Sequence, residues 1–395
     1  MIRCTVGVFA HNEAHNVRRT LNALLAQQLR TVEITEIIVV ASGCTDGTVE
    51  LAEEVASIHP IVTVDVETIR RGKAAAIKRL TSMARGDIIV LVGADTLPAP
   101  TAIEHLLEPF ADPAVGMTGA RVVPLNAPSR WLGFSVQMLW HVHHRLALRR
   151  PKLGELVAFR NVIRNFPEDT STDEPAIEAL IIAQGYLLAY APNAVVYNRG
   201  PETVREFLIQ RRRIFAGQMR IALRYRYLTS SLSPWYVLPL PFEAIGSYPR
   251  YLVWIMGTMA VEAWARILGM SDALRGREDV VWRPATTSKT VVAAPEASDL
   301  TLISVRWPPG ALDSAGFLRG LQRLPDPVGS VFWWDGNHGE VLLQLHGAGT
   351  PVEWIQTQIQ SVSRDHVLTS QLVKESPLIS CRLVKFFSAP PPLPS

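Results

Sequence analysis

Cysteine is scarce: Cys4, Cys44 and Cys381 are the three in 395 residues, far apart and without CxxC spacing. That pattern excludes a disulfide framework and a cysteine-based zinc site, and it fits a reducing compartment. Net charge is lacking too. Against 36 acidic residues stand 39 basic ones, a balance of +3, which argues against general nucleic-acid binding while leaving room for local basic patches. Neither GxGxxG nor GxxxxGK[ST] occurs, so the dinucleotide fingerprint and the P-loop are excluded. The chain runs straight into Cys4-Thr5-Val6-Gly7-Val8-Phe9 with no charged leader and h-region, and a non-exported chain is expected.

What is present is apolar material: 48% of the residues are hydrophobic, enough for a sizeable core, and the length predicts two domains or one with an appendage. The run Ile88-Ile89-Val90-Leu91-Val92-Gly93-Ala94-Asp95 reads as a buried parallel strand carrying one carboxylate to its C-terminal edge. Thr5 to Phe9, Ile34 to Val40 and Val62 to Val66 read as further strands. Between them come helices with Val17, Leu21, Leu24 and Leu25 on one face, over Val49 to Ala56, and over Lys73 to Met83. Such alternation implies βαβ units and a mostly parallel sheet. The loops Ala10 to Glu13, Ala41 to Thr48, Arg70 to Lys73 and Gly93 to Thr96 then meet at one rim. Their small residues admit a phosphate, Arg71 and Lys73 offer cations, and Asp95 can hold a hard cation against a diphosphate.

Phe9-Ala10-His11-Asn12-Glu13, Ser42-Gly43-Cys44-Thr45-Asp46-Gly47-Thr48, Arg71-Gly72-Lys73, Gly93-Ala94-Asp95, Asp173-Glu174 and Gln210-Arg211-Arg212-Arg213 together resemble the ordered motifs of the family 2 glycosyltransferases, over about residues 3 to 290. The resemblance implies an inverting enzyme of the GT-A fold, a Rossmann-like α/β sheet flanked by helices. It assigns Ala10, His11, Asn12, Glu13, Ser42, Asp46, Arg71, Lys73, Ala94 and Asp95 to the nucleotide-sugar side, with Asp95 as the ligand of Mg2+ or Mn2+. It makes Glu174 the catalytic base beside Asp173, and puts Arg213, Arg160, Gln210 and Arg212 on the acceptor and diphosphate side. Two departures stand out. Gly93 occupies a position where the family's metal motif usually carries a first carboxylate, and Ala41-Ser42 replaces an Asp that often contacts the base. A uridine nucleotide is expected.

Taken without the family, Ser171-Thr172-Asp173-Glu174-Pro175 is a good helix start. Val204 to Tyr227 reads as a helix with seven Arg and no Lys, suited to anion recognition or to anionic lipid. Trp131 to Arg150 carries His141, His143 and His144 with no accompanying carboxylate, which favours a helix surface near acceptor or membrane over a metal site. Pro234 to Phe242 and Tyr251 to Leu268 are the most apolar stretch. Glu262 and Arg266, spaced i,i+4 inside it, favour an in-plane, membrane-associating segment over a spanning one. The expected organisation is a catalytic domain over 1–230 (donor half to about 100, acceptor half from 101), the apolar segment 231–289 and a linker 290–298. An accessory domain of ferredoxin-like βαββαβ order follows over 299–388, open to self-association or a protein partner, and 389–395 form a disordered proline-rich end.

The function this predicts is metal-dependent transfer of a hexose or N-acetylhexosamine from a UDP-linked donor to a lipid-linked or polysaccharide acceptor at the cytoplasmic membrane face. A nucleotidyltransferase on a similar sheet, and a non-catalytic sugar- or lipid-binding scaffold suggested by Gly93, are the alternatives.

Overall fold

A computed structural model describes residues 1–237, 239 and 251–277, and the backbone of 301–306, 331–335, 340–345 and 380–384. The chain divides into two units, Met1–Thr290 and Val291–Ser395. In the first, β1 (Ile2–Ala10), β2 (Val32–Ser42), β3 (Val62–Glu67) and β4 (Ile88–Gly93) alternate with α1 (Val17–Leu25), α2 (Thr48–Ile58) and α3 (Lys73–Met83). These strands pair in parallel in the order β3-β2-β1-β4. In β4, Ile88, Val90 and Val92 enter one core, whereas Ile89 and Leu91 enter the other. A strand covered on both faces has no polar side, which is why it reads as an unbroken apolar run. Helices α1 and α2 supply Leu21, Leu24 and Val55 to the first core, and α3 supplies Ile77 and Leu80 to the second.

The acceptor half adds β5 (Leu97–Pro98), α4 (Ala102–Leu107), β6 (Val115–Pro124), α5 (Trp131–Arg149), β7 (Val157–Arg160), α6 (Asp173–Ala183), β8 (Leu187–Asn198) and α7 (Val204–Tyr225). Here the sheet turns mixed. β7 lies antiparallel between β4 and β6, β8 is parallel to β6, and β5 closes the eight-stranded sheet antiparallel to β8. The two short strands expected around Leu187–Tyr197 are one. It bulges where Ala191 pairs with Ala120 and Val195 with Arg121, leaving Pro192, which has no N–H to give, outside the ladder.

After a helical turn α8 (Pro234–Val237), α9 (Leu252–Leu274) packs along α7. Residues 238 and 240–250, and with them the end of the first apolar stretch, lie outside the described residues. Ile255, Thr258, Ala265 and Gly269 form the buried stripe of α9, and its two acids also point inward. Glu262 accepts two hydrogen bonds from Arg211, at 2.7 and 2.9 Å, and one from Arg266 at 3.1 Å; Asp272 accepts two from Arg212. The outward stripe is Val253, Met256, Trp264 and Ile267, all more than half exposed.

The second unit contains a four-stranded antiparallel sheet of β9 (Thr301–Arg306), β10 (Val331–Asp335), β11 (Glu340–Leu345) and β12 (Ser380–Val384), ordered β10-β11-β9-β12. Only β10 and β11 are neighbours both in sequence and in the sheet, while β9 to β10 and β11 to β12 skip a strand. That is the connectivity of a βαββαβ unit. The expected helices Ser314–Leu324 and Pro351–Ser363, the linker and the tail lie outside the described residues.

Buried Glu178 on α6 ties the second core to the loop before β7, accepting from Leu153 N–H at 3.1 Å and Tyr227 Oη–H at 2.9 Å. Burial pushes its carboxyl from 4.5 up to about 7, against the pull of those two donors. The folded state therefore binds this proton more tightly than the unfolded one, and the associated stability is lost as pH rises from about 4.5 through about 7. Glu178→Gln is expected to unfold near wild type at pH 5 but to be more stable at pH 8, by at most about 3 kcal/mol, in urea titrations at the two pH values.

Candidate active site

Parallel strands end together, so Ala10 of β1 sits beside Ala41 of β2, and Phe9 faces Gly93 of β4. The first two loops are sewn to each other. Asn12 Oδ1 accepts from Thr45 N at 2.8 Å, Asp46 accepts from Ala14 N at 3.2 Å and Thr48 N at 3.0 Å, and Thr48 Oγ1 accepts from Glu13 N at 2.8 Å. Asp46 is desolvated there, yet the Thr48 and Ala14 donors outweigh burial and hold its carboxyl below the ordinary value. His11 Nδ1 lies 2.8 Å from the Ser42 carbonyl oxygen. Thr20 of α1 donates to the carbonyls of Ala94 (2.7 Å) and Thr96 (2.9 Å), fixing the loop that carries Asp95.

Above these strand ends opens a cavity of about 440 Å3. Ala10, His11, Glu13, Ser42, Lys73 and Asp95 line it from the donor half; Asp173, Glu174, Gln210 and Arg213 line it from the acceptor half. The two halves meet in one ion cluster. Lys73 Nζ lies 2.5 Å from Asp173 Oδ2 and 3.2 Å from Glu174 Oε1. Burial alone would release the Lys73 proton, but Asp173 and then Glu174 outweigh it and raise its pKa. Both acids start α6, where the helix dipole favours them, whereas Lys73 starts α3, where it does not; the acids are what hold it there. Helix α7 reaches this cluster because Gly217 has no side chain: a Cβ would come within 2.4 Å of Thr172 Cγ2, the residue before Asp173. One turn earlier, Arg213 donates to the Ser171 carbonyl at 3.3 Å and feels Asp173, Glu174 and Glu155.

Several residues expected at the site stand elsewhere. Arg160 donates to the carbonyls of Val115, Phe110 and Asp112 and stacks on Phe110 and Tyr186, so it braces the rim of the sheet opposite the cavity, where it pairs with Ile88 at the start of β4. Arg212 turns to Asp272 of α9. Arg71 reaches back to Glu67 at 3.4 Å, and Arg70 takes its place on the cavity wall. Asn12 and Asp46 are occupied in sewing the loops, and Ala94 is buried. Two of the three histidines are not on a helix surface: His143 and His144 are buried, His144 Nδ1 lies 2.7 Å from Tyr190 Oη, and His143 meets the Trp140 ring edge-on, while His141 is half-buried. Burial holds His143 and His144 well below the ordinary histidine pKa. No group of three or more metal-type His, Cys, Asp or Glu side chains occurs among the described residues.

Three cavity residues escaped the sequence reading. Glu155, just before β7, has φ +60°, and burial, followed by the charges of Asp95 and Glu174, pushes its carboxyl up to about 7. Asn198 ends β8. Lys152 is brought down to about 7 by burial and by Arg211. The available signal was an acid and a base, Lys152 and Glu155, on either side of the apolar-small pair Leu153-Gly154 at the head of a strand.

A parallel Rossmann-like half joined through an antiparallel strand to a mixed half, with a carboxylate-lined cavity over the strand ends, defines a GT-A-type fold. Residues 5–159 match the model of glycosyl transferase family 2, and the first unit of the chain carries a family 2 glycosyltransferase domain. Among curated proteins, the poly-beta-1,6-N-acetyl-D-glucosamine synthase of Staphylococcus aureus is 26% identical over 259 residues, 62% of this chain and 60% of that protein. The Staphylococcus epidermidis synthase is 25% identical over 251 residues. This chain thus spans 60% of the length of these relatives. Among solved structures, a Pyrobaculum calidifontis mannosyltransferase in complex with GDP-Man and Mn2+ shares 26% identity, covering 73% of this chain and 83% of its own, at a TM-score of 0.45. Glucosyl-3-phosphoglycerate synthase of Mycobacterium tuberculosis shares 19%, over 56% of this chain and 78% of its own, at 0.39.

Lys73→Met leaves Asp173 and Glu174 facing each other without their shared cation. For a partly exposed cluster the expected loss is about 2 kcal/mol, read from urea unfolding at pH 7. An unchanged midpoint would show that Lys73 does not hold the two halves.

Proposed function

We propose that this chain transfers a hexose or N-acetylhexosamine, with inversion, from a UDP-linked nucleotide sugar to a lipid-linked or glycan acceptor at the cytoplasmic face of the membrane. The observation that carries this reading is that one cavity is lined by Asp95, from the donor half, and by Asp173–Glu174, from the acceptor half, with Lys73 of the donor half paired to both of the latter. In the reaction the acceptor hydroxyl oxygen attacks the anomeric carbon while the bond from that carbon to the diphosphate breaks on the opposite face. The hydroxyl proton passes to a carboxylate. Glu174, 20% exposed against 8% for Asp173, is the more accessible to an incoming hydroxyl and takes the role of base. Lys73 fixes its position, and Arg213, one turn before the Gly217 contact, faces the charge that grows on the leaving diphosphate.

The cavity also offers ligands to a divalent cation: Asp95, Glu155, Asp173 and Glu174 stand on its wall, and carboxylates are the hard oxygen donors such an ion takes. Held by Asp95, Mg2+ or Mn2+ would supply neutralisation of the diphosphate charge. Support for the N-acetylhexosamine class comes from the staphylococcal synthases named above.

Placement at a membrane is supported by α9, long and apolar enough by length and composition to cross one. Its acids face the protein and its apolar stripe faces out, the reverse of a soluble surface helix. That polarity suits an in-plane position better than a crossing, where Arg211, Arg212 and their acids would follow the helix into the bilayer. The basic helix is a lesser contributor than its sequence promises, since Arg211, Arg212 and Arg224 are paired with Glu262, Asp272 and Asp169.

Glu174→Gln is expected to lower turnover by about 10²- to 10⁴-fold with UDP binding retained, measured by nucleoside diphosphate release across a panel of UDP-sugars. Near-normal turnover would move the base to Asp173, and release of pyrophosphate would make the protein a nucleotidyltransferase. A second expectation concerns the membrane. Trp264→Glu with Ile267→Glu should abolish co-sedimentation with anionic liposomes without lowering the melting temperature, and unchanged sedimentation would refute the in-plane placement.

A further inference from the structure

Gly93 lacks the carboxylate that the family resemblance leads one to expect, and the Asp95 side chain lies over the position a side chain there would take. A Cβ at Gly93 would stand 2.6 Å from Asp95 Oδ1, so any side chain there would turn the Asp95 carboxylate out of its present position. The adjacent strand brings a replacement. β4 and β7 run antiparallel with Ile88 opposite Arg160 and Leu91 opposite Val157; continuing that ladder by two residues sets Glu155 opposite Gly93. Glu155 holds a left-handed backbone, φ +60°, which a non-glycine residue adopts only against strain. Its carboxyl lines the cavity, and among the charged side chains around it Asp95 acts on it most strongly. A third oxygen is waiting. Asn198, 7% exposed at the end of β8, hydrogen-bonds Glu155 through its side chain, while its Oδ1 is buried with no hydrogen-bond partner and the residue lines the same cavity.

We propose that Glu155 and Asn198 complete, with Asp95, an oxygen-donor site for Mg2+ or Mn2+, Glu155 supplying from across the strand pair the carboxylate that Gly93 cannot. The inference rests on the metal-dependent reading above. Two neighbouring carboxylates and an amide oxygen left without a partner offer three acceptors to a hard cation, while the Asn198 N–H is spent on Glu155. A sugar hydroxyl satisfies one acceptor and leaves the two carboxylates repelling each other.

The test is Mn2+ titration followed by electron paramagnetic resonance, with and without UDP, on the full chain and on Asp95→Asn, Glu155→Gln and Asn198→Asp. Glu155→Gln keeps the shape and loses the charge, and is expected to weaken Mn2+ binding at least about tenfold, close to the effect of Asp95→Asn. Asn198→Asp adds a charge at the third oxygen and is expected to tighten it; this arm stands should Glu155→Gln fail to fold. Wild-type Mn2+ affinity in Glu155→Gln alongside weakened binding in Asp95→Asn would overturn this inference alone. If UDP-sugar binding then fell relative to UDP, Glu155 would be a reader of sugar hydroxyls. Absence of Mn2+ binding by the wild-type chain, with UDP present, would overturn the metal-dependent reading as well.

Discussion

The rest of the site depends on one contact: Lys73, at the head of α3, set between Asp173 and Glu174 at the head of α6. A lysine at a helix N-terminus works against the dipole, and two adjacent acids in a cavity repel each other. Neither arrangement is favourable alone, and each removes the penalty of the other. Because α3 belongs to the parallel half of the sheet and α6 to the mixed half, the same contact fixes the distance between what is read as the donor side and the base. A displacement of either helix would separate them together, which is why a positioning lysine 100 residues away in sequence bears on the geometry of proton removal.

Packing enforces that register from behind. The second core runs from Leu80 of α3 under the sheet to Ile177 and Ile181 of α6 and Ile221 of α7, so the three helices that carry Lys73, Glu174 and Arg213 share one apolar floor. Helix α7 comes close enough only through Gly217, whose missing side chain admits Thr172. A glycine inside a helix costs about 1 kcal/mol. Here that penalty brings Arg213 over the acids it faces.

The parallel half was legible in the sequence because both of its faces are covered: Ile88 to Val92 could be read as a buried strand with nothing else known, and its neighbours Gly93 and Asp95 then marked the rim. Lys73, Asp173 and Glu174 were legible as motif residues, though not as one cluster, since a sequence shows charges without their pairing. Arg160 and Arg212 show that limit from the other side. The resemblance puts both on the acceptor and diphosphate side, yet the carbonyls around Phe110 claim the first and Asp272 of α9 the second. Glu155 was hidden for a different reason: its importance comes from the antiparallel insertion of β7 beside β4, and alternating βαβ patterns give no sign of a reversed strand.

The run Arg211-Arg212-Arg213 shows how one helix can serve a cavity and an apolar outer helix at once. Successive residues on a helix point about 100° apart, so three consecutive arginines cannot share a task. Arg213 joins Gln210, three residues earlier, on the cavity wall, which Arg211 and its partner Glu262 also reach but Arg212 does not. Arg211 and Arg212 turn to Glu262 and Asp272, the two acids of α9. By drawing those acids inward, α7 leaves α9 an outer stripe without charge; the polarity of the outer helix is therefore set by the inner one. Under the in-plane placement proposed above, that stripe is tied through two arginine–carboxylate pairs to the helix that carries Arg213 on the cavity wall.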